Sequence, residues 1–336
     1  MSEPAARVLV AGASGFTGAL AAQIAWAHPR LELVRVTARS EAGTPLDRLY
    51  PRYRVPLELE ELDVDRAAAD CDAAIVAYPH GASAPVVAAL RERGLKVVDL
   101  SADFRLRDAD TYRRWYGEPG APDLASEAVY GLTELYRERI AGAKLVANPG
   151  CYPTAAVLAL APLAAEGLIE DVVVDAKSGV SGAGRGGSER LHFVSVDENF
   201  IPYGTDGHRH EPEIAQELDA LGADVPLTFV PHLLPLDQGE LVSCYVRPTR
   251  AVSAGEVEDL YRGRYAEERF VELADRPPGV RDVRDTNLCR IHLSLDQRAG
   301  RVVVFAAIDN LWKGASGQAV QNLNLMLGLP EAEGLR

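Results

Sequence analysis

The sequence predicts an α/β protein of two domains, a doubly wound parallel sheet in the first half and an α+β domain with a largely antiparallel sheet in the second. Apolar strand-like runs alternate with helical runs up to about residue 150, the pattern produced by β–α units and parallel pairing. From residue 171 onward strand-like runs predominate, and most alternate as an antiparallel sheet with one covered face would. A chain of 336 residues is long enough for two ordinary cores. The expected boundaries are residues 1–150 for the first domain, completed by a C-terminal helix within 312–336, and 151–311 for the second.

Composition narrows the function. There are 49 acidic and 35 basic residues, a net charge of −14 with the acids dispersed along the chain. Such a surface is unsuited to holding a phosphate backbone, so no nucleic-acid partner is expected. Four cysteines without a C-x-x-C pair argue against a disulfide framework and against a zinc module. The N-terminal residues show no basic stretch leading into an apolar one, and the most apolar run, 155–169, is broken by Pro162, Glu166 and Gly167. A cytoplasmic protein without a membrane partner is expected.

Taken in order, residues 7–11 read as a buried strand and 19–27 as a helix. Between them the turn Gly12-Ala13-Ser14-Gly15-Phe16-Thr17-Gly18 lets backbone amides approach a pyrophosphate, which the helix N-terminus stabilises. A Rossmann-type dinucleotide site is expected there. The next strand, 31–37, ends in Ala38-Arg39-Ser40, where an NAD-type site carries a carboxylate for the ribose hydroxyls. Arg39 and Ser40 suit a 2′-phosphate instead, so the expected cofactor is NADP. Strands at 72–77 and 95–100 run into Tyr78-Pro79-His80-Gly81 and Ser101-Ala102-Asp103-Phe104-Arg105. Both loops leave the carboxyl ends of parallel strands, so Pro79 and Ser101 stand where a cofactor passes. Residues 107–138 read as an irregular excursion with short helices.

At the centre stands Asn148-Pro149-Gly150-Cys151-Tyr152-Pro153-Thr154, between an apolar strand, 144–147, and a long run rich in alanine and leucine. Pro149 and Gly150 make a tight turn, and Pro153 is tolerated only in the first turn of a helix. Cys151 is thereby placed at a helix N-terminus, where unpaired N–H groups and a partial positive charge favour the reactive thiolate. Cys71, Cys244 and Cys289 lie in or beside apolar runs and read as buried structural thiols. Cys151 is the candidate nucleophile.

In the second half a strand at 171–176 leads into Lys177-Ser178-Gly179-Val180-Ser181-Gly182-Ala183-Gly184-Arg185. Its glycines suggest backbone lying close to a ligand, with serine and arginine side chains available to an anion. Gly207-His208-Arg209-His210 opens a helix at 213–221. The two histidines offer a base for the cysteine; zinc ligation with Cys151 is the alternative. Strands are expected at 227–230, 240–247, 290–295 and 301–308, the last fully buried because it alternates poorly, with a helix at 255–268. A sheet this broad suggests packing against a second copy, hence a homo-oligomer, dimer or tetramer. The turn at 309–317, with Asn310 and Lys313, is placed to reach the cofactor before a final helix to residue 327.

With these stretches in view, the sequence resembles the N-acetyl-γ-glutamyl-phosphate reductase family, the NADPH-dependent enzymes of arginine biosynthesis, over nearly its whole length. The resemblance is carried by Gly12 to Gly18, Pro79-His80-Gly81, residues 99–105, Asn148 to Thr154, Ser178 to Gly184, Gly207 to His210 and 309–314. One departure is Tyr78, where leucine is more usual. The resemblance implies reduction of N-acetylglutamyl 5-phosphate to the semialdehyde with release of inorganic phosphate. It implies Cys151 as nucleophile through a thioester and His208 as acid/base. It places cofactor contacts on Ser14 to Thr17, Arg39, Ser40 and Asn310, with Ser181 beside them. Arg105, Asn148, Lys177, Ser178, Arg185 and His210 are the candidate substrate contacts, and no metal is expected. Related reductases of the lysine pathway, aspartate-semialdehyde dehydrogenase and a non-catalytic NADP-binding redox sensor are the alternatives.

Overall fold

The computed structural model describes residues 4–336. It divides into two compact units, one running to Pro149 and resumed at Ala315–Arg336, the other Gly150–Gly314.

The first unit opens with β1 (Ala6–Ala11), α1 (Phe16–Ala27) and β2 (Leu31–Thr37). It continues through α2 (Leu46–Leu49), β3 (Leu59–Glu60), α3 (Val64–Asp70), β4 (Ala73–Val76), α4 (Ala84–Glu92) and β5 (Lys96–Asp99). The excursion then folds as α5 (Ala109–Tyr116), α6 (Pro122–Ala125), β6 (Val129–Tyr130) and α7 (Thr133–Ala141), and β7 (Leu145–Ala147) closes the run. The strands lie in the order β3-β2-β1-β4-β5-β7-β6, every pair parallel. The order reverses between β1 and β4, which leaves a crevice at their carboxyl ends where such sheets bind ligands. Because helices cover both faces, β4 and β7 are buried at every residue, which is why the sequence there is continuously apolar rather than alternating.

The second unit contains α8 (Cys151–Ala165), β8 (Asp171–Gly179), α9 (Phe193–Val196), β9 (Ile201–Pro202), α10 (Glu211–Ala220), β10 (Leu227–Leu234), β11 (Glu240–Arg247), α11 (Ala254–Tyr265), β12 (Val271–Leu273), β13 (Cys289–Asp296) and β14 (Arg301–Ile308). The chain then rejoins the first unit through α12 (Gly317–Met326). The second sheet has the order β12-β13-β14-β11-β8-β10-β9. Its β13-β14-β11-β8 core is antiparallel, while β8/β10 and β12/β13 are parallel.

Helix α8 is buried from Tyr152 through Ala164, and a helix apolar all round must sit inside a core. Pro162 lies within it and cannot donate to Leu158, so that carbonyl would be stranded in an apolar interior. The Tyr265 hydroxyl of α11 donates to it at 2.5 Å, which explains how the proline is tolerated.

Two strand limits differ from the sequence expectation. Strand β8 extends to Gly179 and β10 continues through Pro231 to Leu234, because each is paired along its whole length. Strand β14 is not buried on both faces. Arg301, Val303 and Phe305 are half-exposed, on the same side as Tyr245, Ser243 and Leu241 of β11. That side carries apolar residues that are only partly covered, at Leu241, Tyr245, Val303 and Phe305, which is the physical reason the alternation was weak. Among the described residues no helix is long and apolar enough to cross a membrane.

Candidate active site

In the second unit the site is built around the first turn of α8. Gly150, its N-cap, is extended (φ −69°, ψ 159°) and no side chain caps the helix. The Gly150 N–H instead donates to the Glu213 carboxylate of α10 at 2.9 Å, while the Thr154 hydroxyl donates back to the Gly150 carbonyl at 2.9 Å. Cys151 therefore opens a helix whose end is left to the active site. It is half-buried, whereas Cys71, Cys244 and Cys289 are buried. Burial pushes the Cys71 thiol up to about 11 and the Cys244 thiol higher still, so both stay neutral.

The two imidazoles surround Tyr152, the neighbour of Cys151. The Tyr152 ring meets His208 edge-on at 5.9 Å and His210 at 5.8 Å, and the two imidazole rings are 4.9 Å apart. Tyr203 and Phe229 close the cage around His208 at 5.4 and 5.3 Å. Tyr152 is anchored in turn, its hydroxyl donating to the His232 carbonyl at 3.1 Å. Burial, helped by the Arg209 charge, lowers His208 to about 4, so the ring is neutral at physiological pH. The His210 N–H donates to His208 Nδ1 at 3.1 Å, which leaves the proton on Nε2, available as a donor.

The other expected residues of this unit are dispersed. Asn310 donates to the Ser181 hydroxyl at 3.0 Å and accepts from Gly239 N at 2.7 Å, so these two candidate cofactor contacts brace one another in a buried position. Ser178 lies on the α8-covered face of the sheet. Lys177 does not join it: strand alternation puts the lysine on the opposite face, ion-paired with Asp175 at 2.5 Å. Arg185 lies on an exposed surface loop. Lys313, expected near the cofactor, is fully buried over the Phe270 ring at 5.7 Å.

The first unit gathers the remaining candidates at the carboxyl ends of its strands. Gly12 has φ +84°, and a Cβ there would stand 2.7 Å from the Ala77 carbonyl; one at Gly18 would stand 2.2 Å from the Gly12 carbonyl. Both glycines are thus required for the turn to close against β4 and α1. Gly15, the N-cap of α1, has no side-chain cap, no acid occupies the first turn, and Ser14 to Thr17 are half-exposed. This uncapped helix end fits a pyrophosphate. Arg39 is exposed, with its guanidinium over the Tyr78 ring at 5.6 Å. Tyr78, the departure noted above, is therefore a platform for that cation. Ser40 is exposed and donates to Glu41. Pro79 is exposed on its loop, and Asp103 holds that loop by accepting from Gly81 N at 2.7 Å and Ala84 N at 2.9 Å.

Three residues here do a job other than the contact expected of them. Ser101 is buried and donates to Asp99, which burial raises to about 6. Arg105 is buried, donating to the Asn148 and Leu100 carbonyls at 2.8 Å each. The Asn148 side chain is fully buried, donating to the Ala315 carbonyl at 3.2 Å and accepting from Asn322 at 3.0 Å. Arg105 and Asn148 thus shape the end of β7, from which the chain turns toward Cys151.

Sequence reading passed over Glu213 and Glu240. Nothing in the residues around Glu213 shows that it faces Gly150, 63 positions away in the chain. Glu240 carried a usable signal: it alternates with Val242, Cys244 and Val246 on one face of β11, and those residues are buried.

Comparison with known proteins places this geometry. Residues 7–143 match the family described as semialdehyde dehydrogenase, NAD binding domain, and residues 151–310 the family described as semialdehyde dehydrogenase, dimerisation domain. The fold agrees: aspartate semialdehyde dehydrogenase II from Vibrio cholerae, complexed with ASA, superposes with a TM-score of 0.75 at 19% identity, covering 97% of this chain and 99% of that one. The enzyme from Candida albicans, solved with NADP, superposes with a TM-score of 0.71 at 15% identity, covering 96% and 98%. The class is that of the semialdehyde dehydrogenases. Within it, the chain is 49% identical to N-acetyl-gamma-glutamyl-phosphate reductase of Moorella thermoacetica, over 97% of this chain and 96% of that protein. It is 48% identical to that of Desulforudis audaxviator, over 98% and 97%. The chain belongs to the N-acetyl-gamma-glutamyl-phosphate reductase family.

The depressed His208 value has a consequence for stability. Because His208 ionises near 4 when folded and near 6.5 when unfolded, the unfolded chain binds more protons between these values. The stability it contributes is complete above about 6.5 and is lost as pH falls toward 4. Thermal unfolding followed across that window is expected to show a falling midpoint for the wild type and a shallower fall for His208→Gln.

Proposed function

We propose that the chain reduces N-acetyl-L-glutamyl 5-phosphate to N-acetyl-L-glutamate 5-semialdehyde with NADPH, releasing inorganic phosphate, in arginine biosynthesis. The observation that carries this reading is the half-buried Cys151 at the uncapped N-terminus of α8, with two imidazoles packed on the adjacent tyrosine. The Cys151 sulfur attacks the acyl carbon, the C–O bond to phosphate breaks, and the electron pair leaves on phosphate. A thioester remains. NADPH supplies the hydride that reduces it. His208, neutral and protonated on Nε2, donates to the oxygen that gains negative charge. Collapse of the tetrahedral adduct restores the C=O bond and releases the thiolate.

For the cofactor, the uncapped start of α1 takes the pyrophosphate, and Arg39, held over Tyr78, takes the 2′-phosphate. For assembly, a second copy covers the open face of the second sheet, where Leu241, Tyr245, Val303 and Phe305 lie half-exposed. The match of this unit to a dimerisation domain supports that reading.

Three experiments test these assignments. Cys151→Ser is expected to abolish reduction while NADPH still binds, and mass spectrometry of the wild type with acyl phosphate and no cofactor is expected to show acylated Cys151. Retained turnover in the variant removes the covalent scheme. Arg39→Ala is expected to weaken NADPH by roughly 10-fold or more, the worth of a charge-assisted contact, and NADH little; equal losses reject the 2′-phosphate role. Phe305→Glu is expected to shift the chain toward monomer in sedimentation, and an unchanged mass places the interface elsewhere.

A further inference from the structure

Glu240 opens β11 in the middle of the second sheet, directly opposite Ser178 of β8 and Ile308 of β14. Its side chain shares the α8-covered face with Val242 and Cys244, and it is fully buried. Neither carboxyl oxygen has a hydrogen-bond partner of good geometry. The group faces the Cys151 thiol and the Ser178 hydroxyl, with the Asp309 carboxyl on a further side. Tyr152 and Tyr203 lie close to both groups, and burial keeps both phenols protonated. A buried carboxylate is costly in such a place, and a thiolate beside a carboxylate more so. The space therefore admits at most one negative charge for the two groups.

We propose that Cys151 and Glu240 form a proton pair in which the buried carboxylate takes the thiol proton when the nucleophile is needed and returns it at the end of the cycle. The inference rests on the thioester reading above. In the first step the S–H bond breaks and an O–H bond forms, giving thiolate and neutral carboxylic acid with the pair still at one negative charge. Attack on the acyl phosphate and loss of phosphate consume that charge. Hydride from NADPH restores it as the oxyanion of the adduct, and collapse moves it to sulfur. The thiolate then recovers the proton from Glu240, regenerating thiol and carboxylate. Proton affinities support this partner. Burial raises Glu240 to about 8, close to the ordinary thiol value of about 8.5, whereas His208, lowered to about 4, is a poor acceptor of a thiol proton.

The test is the pH dependence of Cys151 alkylation by iodoacetamide in the full chain, read by mass spectrometry of the Cys151 peptide. Two interacting groups sharing one proton give a two-step rise for the wild type. Glu240→Gln, similar in shape but unable to accept a proton, is expected to give a single step. A single step in the wild type overturns the pair whether or not the variant folds, and two steps in both proteins overturn it equally. A single wild-type step alongside acylated Cys151 rejects the pair and leaves the thioester reading intact.

Discussion

The N-terminus of α8 is the constraint on which the second unit depends. A helix buried from Tyr152 to Ala164 carries its unpaired N–H groups to the end of a core where little water competes for them. The fold answers with a glycine N-cap, a carboxylate from α10 on the Gly150 N–H, and a threonine hydroxyl turned back on the Gly150 carbonyl. Cys151 follows directly on that N-cap. Cys151, the candidate nucleophile, is thus placed by the demands of burying a helix, and the helix is buried because its sequence offers no polar face.

The same economy recurs in the first unit. Gly12 and Gly18 are required by close backbone approach, and the tight turn they permit leaves Ser14 to Thr17 half-exposed at an uncapped helix end. Arg39 is carried to the end of β2 and laid over Tyr78 from the end of β4. Around the imidazoles, aromatic packing does for chemistry what a hydrogen-bond network does elsewhere: Tyr152, Tyr203 and Phe229 keep His208 out of water and neutral, and one backbone N–H settles its tautomer.

Much of this was legible before any coordinates. Strand-then-turn-then-helix at Gly12 to Gly18, and again at Asn148 to Thr154, is a local signal, since glycine, proline and apolar runs act over a few residues. Less legible was every feature that depends on which strands pair and in what register. Strand β10 runs through Pro231 because β8 lies beside it, and Lys177 points away from Ser178 because both belong to one continuous strand rather than to a strand and a loop. The half-exposed Val303 and Phe305 on the open face made β14 read as wholly buried.

By itself, the sequence determined the class of fold and the two strand–turn–helix joints at 12–18 and 148–154, and it made Cys151 the candidate among four cysteines, because each follows from covalent neighbours and from the backbone limits of glycine and proline. Only the tertiary structure decided which acids face the first turn of α8, that Asn148 and Arg105 serve the backbone beside β7, and that His208 is neutral. Those properties arise from groups tens of residues apart in the chain, and burial by distant neighbours changes a charge or a hydrogen bond without leaving any trace in the residues on either side.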